Sequence, residues 1–216
     1  MNVYDYNEFD LDYKQFFELF ENPRDYSILD LGCGNGSLCY HLEQMGFNVT
    51  GTDIRNNLDF FIGDFVIDNV LNSRLNKKYD FIIDRGLAHN LVCSQQHDDV
   101  AKRIFSKVDH YNEGTLPIEY YDTIDRVTHQ ESVILLKVLS PYEIRCSPFV
   151  DDPHGPYRFH EDELEDLYYD LDFECVSLED TYFYGSEVPH LRGYFALYEK
   201  IHPDMLPLRR RRNRIE

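Results

Sequence analysis

The sequence predicts an α/β fold: a doubly wound sheet of about seven strands, mostly parallel, that closes on an antiparallel C-terminal hairpin. Three observations carry this. The apolar run ILDL at 28–31 passes through glycines at 32, 34 and 36 into a helical pattern and then into a second strand, FNVTGTD, which makes one βαβ unit. Strand-like and helix-like segments keep alternating beyond it. SVILLKVL, 132–139, is the most apolar run in the chain, as a central strand covered on both faces should be.

The elements follow in order. Tyr13, Phe16, Phe17 and Phe20 recur at helical spacing with Lys14, Gln15 and Glu18 opposite, so an amphipathic helix precedes the first strand and Asn22-Pro23 ends it. SILDL, 27–31, is that strand. From Ser37, the positions Leu38, Leu42 and Met45 followed by Gly46 describe a helix with a glycine C-cap, and 47–53 is the next strand. DFFIGD at 59–64 and YDFIID at 79–84 are strand-like, with a helical pattern of Ile67, Val70, Leu71 and Leu75 between them. Four residues separate Asp53 from Leu58. A parallel crossover takes about a dozen or more and usually holds a helix, so the second crossover helix is expected to be missing.

Ala101, Ile104, Phe105 and Val108 mark another helix, and Pro117 is placed to start one that carries Tyr120, Ile124 and Val127. The stretch 140–157 holds four prolines and no period, the composition of a lid or binding loop. FHEDELEDLYYDL then resumes a helix with acids in its first turn. The strands 173–183 and 193–199 lack a helix between them, which leaves them free to pair antiparallel.

At 216 residues the chain reads as one domain, 1–208, capped by an N-terminal helical segment within 1–25 and followed by a basic tail, 209–216. The formal charge is −19, yet 209–214 alone holds five of the 21 basic residues. An acidic body repels polyanions, so a nucleic-acid partner would have to use that tail, whose other reading is a disordered, solvated end. No apolar run reaches the length of a membrane span, and the acidic, aromatic N-terminus is unlike a signal peptide. Five scattered cysteines without a Cys-x-x-Cys pair argue against a disulfide framework and a thiolate metal site, and fit a reducing, cytoplasmic setting. No His, Asp and Glu grouping has metal-ligand spacing, so no metal is expected.

A glycine-rich turn from strand to helix lets a ligand approach the backbone at a helix N-terminus. The dinucleotide fingerprint asks for Gly or Ala where this chain has Ser37; here the glycines fall as G-x-G-x-G, with Asp30 two residues ahead. An acid so near the turn suits a cation, such as the amino group of a methionine moiety, better than a pyrophosphate. That favours S-adenosylmethionine. Asp53, about 20 residues on, can accept hydrogen bonds from both hydroxyls of a ribose, although a strand-terminating turn residue would look the same.

DLGCGNG at 30–36, Asp53 in VTGTD, Gly63-Asp64 after an aromatic run and YDFIIDRG at 79–86 together resemble the class I S-adenosylmethionine-dependent methyltransferases, over most of 26–199. The resemblance implies a Rossmann-like seven-stranded sheet with a reversed final hairpin. It implies Gly32, Gly34 and Gly36 beneath the methionine and ribose, Asp30 near the methionine amine, Asp53 on the ribose diol, and Asp64 with Phe65 beside the adenine. The turn HQE before SVILLKVL departs from the family's usual proline and glycines. DRGLAHNL and the stretch GPYRFHEDELEDLYYDLDFECVSLEDTYF are similar, more narrowly, to the thiopurine and tellurite-resistance small-molecule methyltransferases.

Methyl transfer from a sulfonium is an in-line displacement in which the enzyme mainly orients and desolvates the nucleophile, so no base is obligatory. If the acceptor must lose a proton, the candidates are Asp84, at the carboxyl end of its strand, and His89, whose other reading is a helix-start or core-edge histidine. Arg85 either binds an anionic acceptor or pairs with a neighbouring acid. His154 and Tyr157 lie on the lid stretch, and Tyr4, Tyr6 and Tyr13 are placed to close over the acceptor. The sequence therefore points to methyl transfer onto a small molecule. A nucleic-acid methyltransferase using the Arg tail, and a non-catalytic S-adenosylmethionine-binding regulator, are the rivals; the first lacks an Asn or Asp-Pro-Pro-Tyr/Phe motif.

Overall fold

The computed structural model describes residues 10–60, 63–92, 116–139, 159–183 and 191–201. Its seven strands are β1 Ser27–Leu31, β2 Asn48–Asp53, β3 Phe65–Ile67, β4 Tyr79–Arg85, β5 Thr128–Leu139, β6 Phe173–Phe183 and β7 Leu191–Lys200. They form one sheet in the order β3-β2-β1-β4-β5-β7-β6. β1 through β5 pair parallel, and β7 lies antiparallel between β5 and β6. The predicted final hairpin is thus present, with its second strand inserted next to the central one.

Alternation along the strands divides the core into two layers. Leu29, Ile82, Ile134 and Leu136 face one cluster, and Ile28, Phe81, Ile83 and Leu135 the other. Helices cover both. On the second face lie α1 Leu11–Phe17 and α2 Ser37–Gln44, where Phe16, Phe17 and Phe20 meet Phe81 edge-on at 5.1 to 5.7 Å. On the first lie α3 Leu87–Leu91, α4 Ile118–Val127 and α5 Glu161–Glu165. Pro117 is the N-cap of α4, and Tyr120, Ile124 and Val127 are its buried face, as the spacing predicts.

Three expectations need correction. The strand predicted at 59–64 forms at Phe65–Ile67, because the backbone of Asp59 and Phe60 donates to Asn35 O while the Phe60 ring packs on Tyr40 at 5.5 Å. Phe60 is thereby spent on α2, not in the sheet. The helical pattern through Ile67 to Leu75 yields only a 3₁₀ turn, Val70–Asn72, since the side chains of Asn69 and Ser73 take the amides of Leu71 and Leu75 that a helix would bond to backbone. The helix from 159 stops at Glu165 and resumes as a 3₁₀ turn, Tyr169–Leu171, closed by Asp172 at φ 61°. Among the described residues no helix joins β2 to β3. The predicted helix at 101–108, the 140–157 loop and the Arg tail lie outside the described residues.

Candidate functional site

A cavity of about 310 Å³ opens at the carboxyl ends of β1 to β4. Its floor is the glycine loop. Cys33 N donates to Thr52 O at 2.8 Å, and Gly36 N to Cys33 O at 3.0 Å, which folds the loop back toward β2. Gly32 and Gly34 hold φ +69° and +59°, a region that side-chain-bearing residues rarely adopt. At Gly32 a Cβ would press on Leu87 at 3.3 Å, whereas beside Gly34 there is nothing within 4 Å. Both glycines line the cavity; Gly36, at φ +81°, lies behind them as the N-cap of α2.

Asp53 stands on the cavity wall and ties the loop down: Gly34 N donates to its Oδ2 at 3.1 Å and Arg55 N to its Oδ1 at 3.1 Å. Asp30 lies behind the loop. It is 1 % exposed, accepts the Cys39 thiol at 3.1 Å, and does not line the cavity. Burial raises its pKa, with the Arg85 charge pulling the other way. Asp30, expected near a methionine amine, thus sits behind the glycine loop and off the cavity wall.

Asp64 and Phe65 sit at the amino end of β3, where Thr50 Oγ1 donates to Asp64 Oδ2 at 2.7 Å and Phe65 leans on the second core layer. Neither lines the cavity. The shift of β3 along the chain puts Asp68, Asn69 and Val70 at its carboxyl end instead, on the wall beside Asp53. Those residues were hidden in the sequence by the misplaced strand.

Past β4 the wall is built by Arg85, Gly86 and α3. Asp84 is 0 % exposed and faces away from the cavity into the first core layer. Its Oδ1 accepts from Leu87 N at 2.8 Å and Ala88 N at 3.0 Å, and its Oδ2 from Tyr120 Oη at 2.8 Å, with Tyr168 Oη a further 2.7 Å beyond. These bonds let the Asp84 carboxylate satisfy the first amides of α3, whose N-cap position is Gly86. Burial pushes its pKa up to about 6 despite them. His89 does line the cavity; burial pushes its pKa down to about 3. Leu139 N donates to its Nδ1 at 3.3 Å, which places the ring proton of the neutral imidazole on Nε2. Neither candidate base is arranged to take a proton from a ligand in the cavity.

Tyr13 is 0 % exposed, packed edge-on against Phe195 at 5.2 Å, and off the cavity wall. Its hydroxyl has no hydrogen-bond partner among the described residues, although the charges of Asp10, Arg85 and Asp30 all act on it. His154 and Tyr157 fall outside the described residues. A residue passed over in the sequence is Lys137, the single cation within the apolar β5. It is 0 % exposed and its Nζ lies 2.9 Å from both oxygens of Asp10 and 2.6 Å from Asp12 Oδ2. Thr181 Oγ1 also donates to Asp12. A lysine inside SVILLKVL was itself a signal, because a buried ammonium requires an acid to meet it.

Among the described residues no group of three or more His, Cys, Asp or Glu side chains is arranged to hold a metal, and no helix is long and apolar enough to cross a membrane.

Comparison with known proteins adds the family. A protein studied in the conversion of a disulfide bond into a thioacetal group during echinomycin biosynthesis is similar in fold, with TM-score 0.66 and 16% identity over 98% of this chain and 91% of that one. A TehB-like S-adenosylmethionine-dependent methyltransferase from Corynebacterium glutamicum gives TM-score 0.55 at 13% identity, covering 87% of this chain and 86% of that one. The 1,6-didemethyltoxoflavin-N1-methyltransferase of Burkholderia thailandensis, solved with its substrate and S-adenosylhomocysteine, gives TM-score 0.54 at 16% identity, covering 89% of this chain and 84% of that one. A search of curated protein sequences found no match. Residues 6–178 match the family model described as a methyltransferase domain, which is most of the chain. The chain therefore belongs to the methyltransferase domain family and shares the fold of S-adenosylmethionine-dependent methyltransferases.

Proposed function

We propose that the chain transfers a methyl group from S-adenosylmethionine to a small-molecule acceptor bound in this cavity. The observation that carries the reading is Asp53: a carboxylate on the cavity wall that fixes the Gly34 amide and, with one backbone N–H on each oxygen, has acceptor capacity left for a ligand. The residues fit such a cofactor. The open space beside Gly34 is a cradle that any Cβ would begin to fill, Asp53 suits a ribose diol, and Asp68 with Asn69 offers polar partners for an adenine edge. When bound, the cofactor supplies an electrophilic methyl on a positively charged sulfur.

The chain's own residues then hold and exclude. The loop and Asp53 fix the donor side, while Arg85, Gly86 and α3 form the acceptor side. Leu87, Leu91 and Val70 remove water from the space between. Asp84 contributes by capping α3 and Asp30 by its field on Arg85, so both act through residues that touch the cavity. A small acceptor is supported by the similarity in fold to the 1,6-didemethyltoxoflavin-N1-methyltransferase, whose acceptor is a small molecule.

Calorimetric titration tests this. S-adenosylmethionine and S-adenosylhomocysteine are expected to bind the wild type, and Asp53→Ala to weaken both by about tenfold or more, the worth of a charge-assisted hydrogen bond. Failure of both nucleosides to bind the wild type would overturn the reading. Binding with no transfer to a panel of small thiols, amines, phenols and carboxylates would favour a regulator instead.

A further inference from the structure

The cavity wall beyond β4 hangs on one buried carboxylate. Asp84, one residue before the end of the strand, accepts Leu87 N at 2.8 Å and Ala88 N at 3.0 Å on its Oδ1. α3 is five residues long, too short to hold its place by its own backbone bonds. Its placement bears on the cavity at one contact in particular. Leu87 lies so close over Gly32 that a Cβ there would meet its side chain at 3.3 Å, and both residues line the cavity. The glycine loop and α3 therefore rest on each other, and a shift of α3 moves the surface that supports the loop.

The carboxylate is in turn held from outside the cavity. Tyr120, on α4, donates from Oη to Asp84 Oδ2 at 2.8 Å, and Tyr168 Oη lies 2.7 Å from Tyr120 Oη. Both tyrosines are buried in the first core layer and neither lines the cavity. An ionised carboxylate only accepts, so the single proton of Tyr120 is spent on Asp84 and Tyr168 supplies the proton between the two hydroxyls. That gives the chain a direction, from Tyr168 to Tyr120 to Asp84 to the amides of α3. Packing alone does not ask for it, because phenylalanine at 120 and 168 would fill the same layer with no buried hydroxyl to satisfy. Tyr198 is the contrast: in the same layer, its Oη donates to the backbone oxygen of Leu164 at 2.8 Å and not to Asp84.

We propose that Tyr120, backed by Tyr168, is a positioning residue for the cofactor: through Asp84 it sets α3, and with it the Leu87 contact on Gly32, where the glycine loop holds S-adenosylmethionine. The inference rests on the methyl-transfer reading above and adds to that site two residues that do not line it. Without the Tyr120 hydroxyl, Asp84 Oδ2 keeps the Ala88 amide at 3.1 Å as its remaining donor among the described residues. The carboxylate can then turn, and its hold on Leu87 loosens.

Calorimetric titration with S-adenosylhomocysteine, well below the unfolding midpoint and at about pH 8, where Asp84 with its pKa of about 6 is ionised, tests this on Tyr120→Phe, Tyr168→Phe and Tyr198→Phe. A hydroxyl that only supports the core changes the fraction of protein that binds and leaves the affinity of the folded fraction alone. Tyr120→Phe is expected instead to bind one equivalent about three- to tenfold more weakly, within the range of remote positioning effects. Tyr168→Phe should lose about twofold, because Tyr120 keeps its own bond to Asp84. Tyr198→Phe should keep wild-type affinity. Amide exchange over 86–91 should quicken in Tyr120→Phe and stay as in the wild type in Tyr198→Phe. Unchanged affinity in Tyr120→Phe, an equal loss in Tyr198→Phe, or weaker binding without faster exchange over 86–91 overturns the proposal. Should Tyr120→Phe fail to fold, Tyr168→Phe decides, and unchanged affinity there overturns it. If the wild type itself fails to bind, the methyl-transfer reading falls and this proposal with it.

Discussion

Hydrogen bonds from Leu87, Ala88 and Tyr120 favour the ionised form of Asp84, yet burial outweighs them and its pKa rises to about 6. The native state therefore holds this proton more tightly than the unfolded chain does. The contribution to stability is full below pH 3.8 and is lost as pH rises toward 6, the reverse of a salt-bridged aspartate. About two pKa units correspond to on the order of 3 kcal/mol. Asp84→Asn keeps an oxygen for the α3 amides and turns its amide toward Tyr120. Relative to this variant, the wild type should lose a few kcal/mol of urea-unfolding stability between pH 4 and 7; a constant difference would refute the assignment. His89 has the opposite sign. Its pKa falls from 6.5 to about 3, so its contribution is full above 6.5 and is lost as pH drops through that window. His89→Gln should flatten the acid limb of the stability profile, measured over the same pH series.

At the scale of elements, α1 is seven residues long, too short to be stable on its own in water. Two devices seat it. Phe16, Phe17 and Phe20 pack on Phe81, and the carboxylates of Asp10 and Asp12 close on the Lys137 ammonium. Lys137→Met would leave Asp10, 6 % exposed, as a buried charge without its counter-ion, a loss of about 3 to 5 kcal/mol. The expected readout is a lowered thermal midpoint together with faster amide exchange over 10–17, and the added change Asp10→Asn should restore part of both. An unchanged midpoint in Lys137→Met would show that the aromatic contacts alone hold the helix. This pairing was not legible in the sequence, because the partners lie 127 residues apart and no periodicity relates them. The helix itself was legible, since its aromatic spacing is local. The opposite failure occurred at β3: Phe60 has the residue type of a strand, but its surroundings on α2 decide where it packs.

For the whole molecule, the strand order β3-β2-β1-β4-β5 reverses direction between β1 and β4, and the cavity lies there, at the carboxyl ends of the strands. That location follows from topology alone, which is why the glycine loop and Asp53 could be placed from motif and spacing. What distance in sequence concealed was which acid follows β3 and which way Asp84 turns. A ligand bound at the reversal touches segments from both halves of the sheet, so its binding energy should appear as global stability. At about 100 times its dissociation constant a ligand adds ~2.7 kcal/mol, which for a domain of roughly 150 to 250 residues raises the thermal midpoint by about 5 to 10 °C. S-adenosylhomocysteine should produce a shift of that size in the wild type. At the same concentration it should produce little shift in Asp53→Ala, which loses the carboxylate that secures the loop. NAD should give none in either, because the turn lacks the third Gly or Ala of the pyrophosphate fingerprint: Ser37 stands at that position, at the start of α2. A midpoint raised by NAD and not by S-adenosylhomocysteine would reverse the reading of the glycine loop.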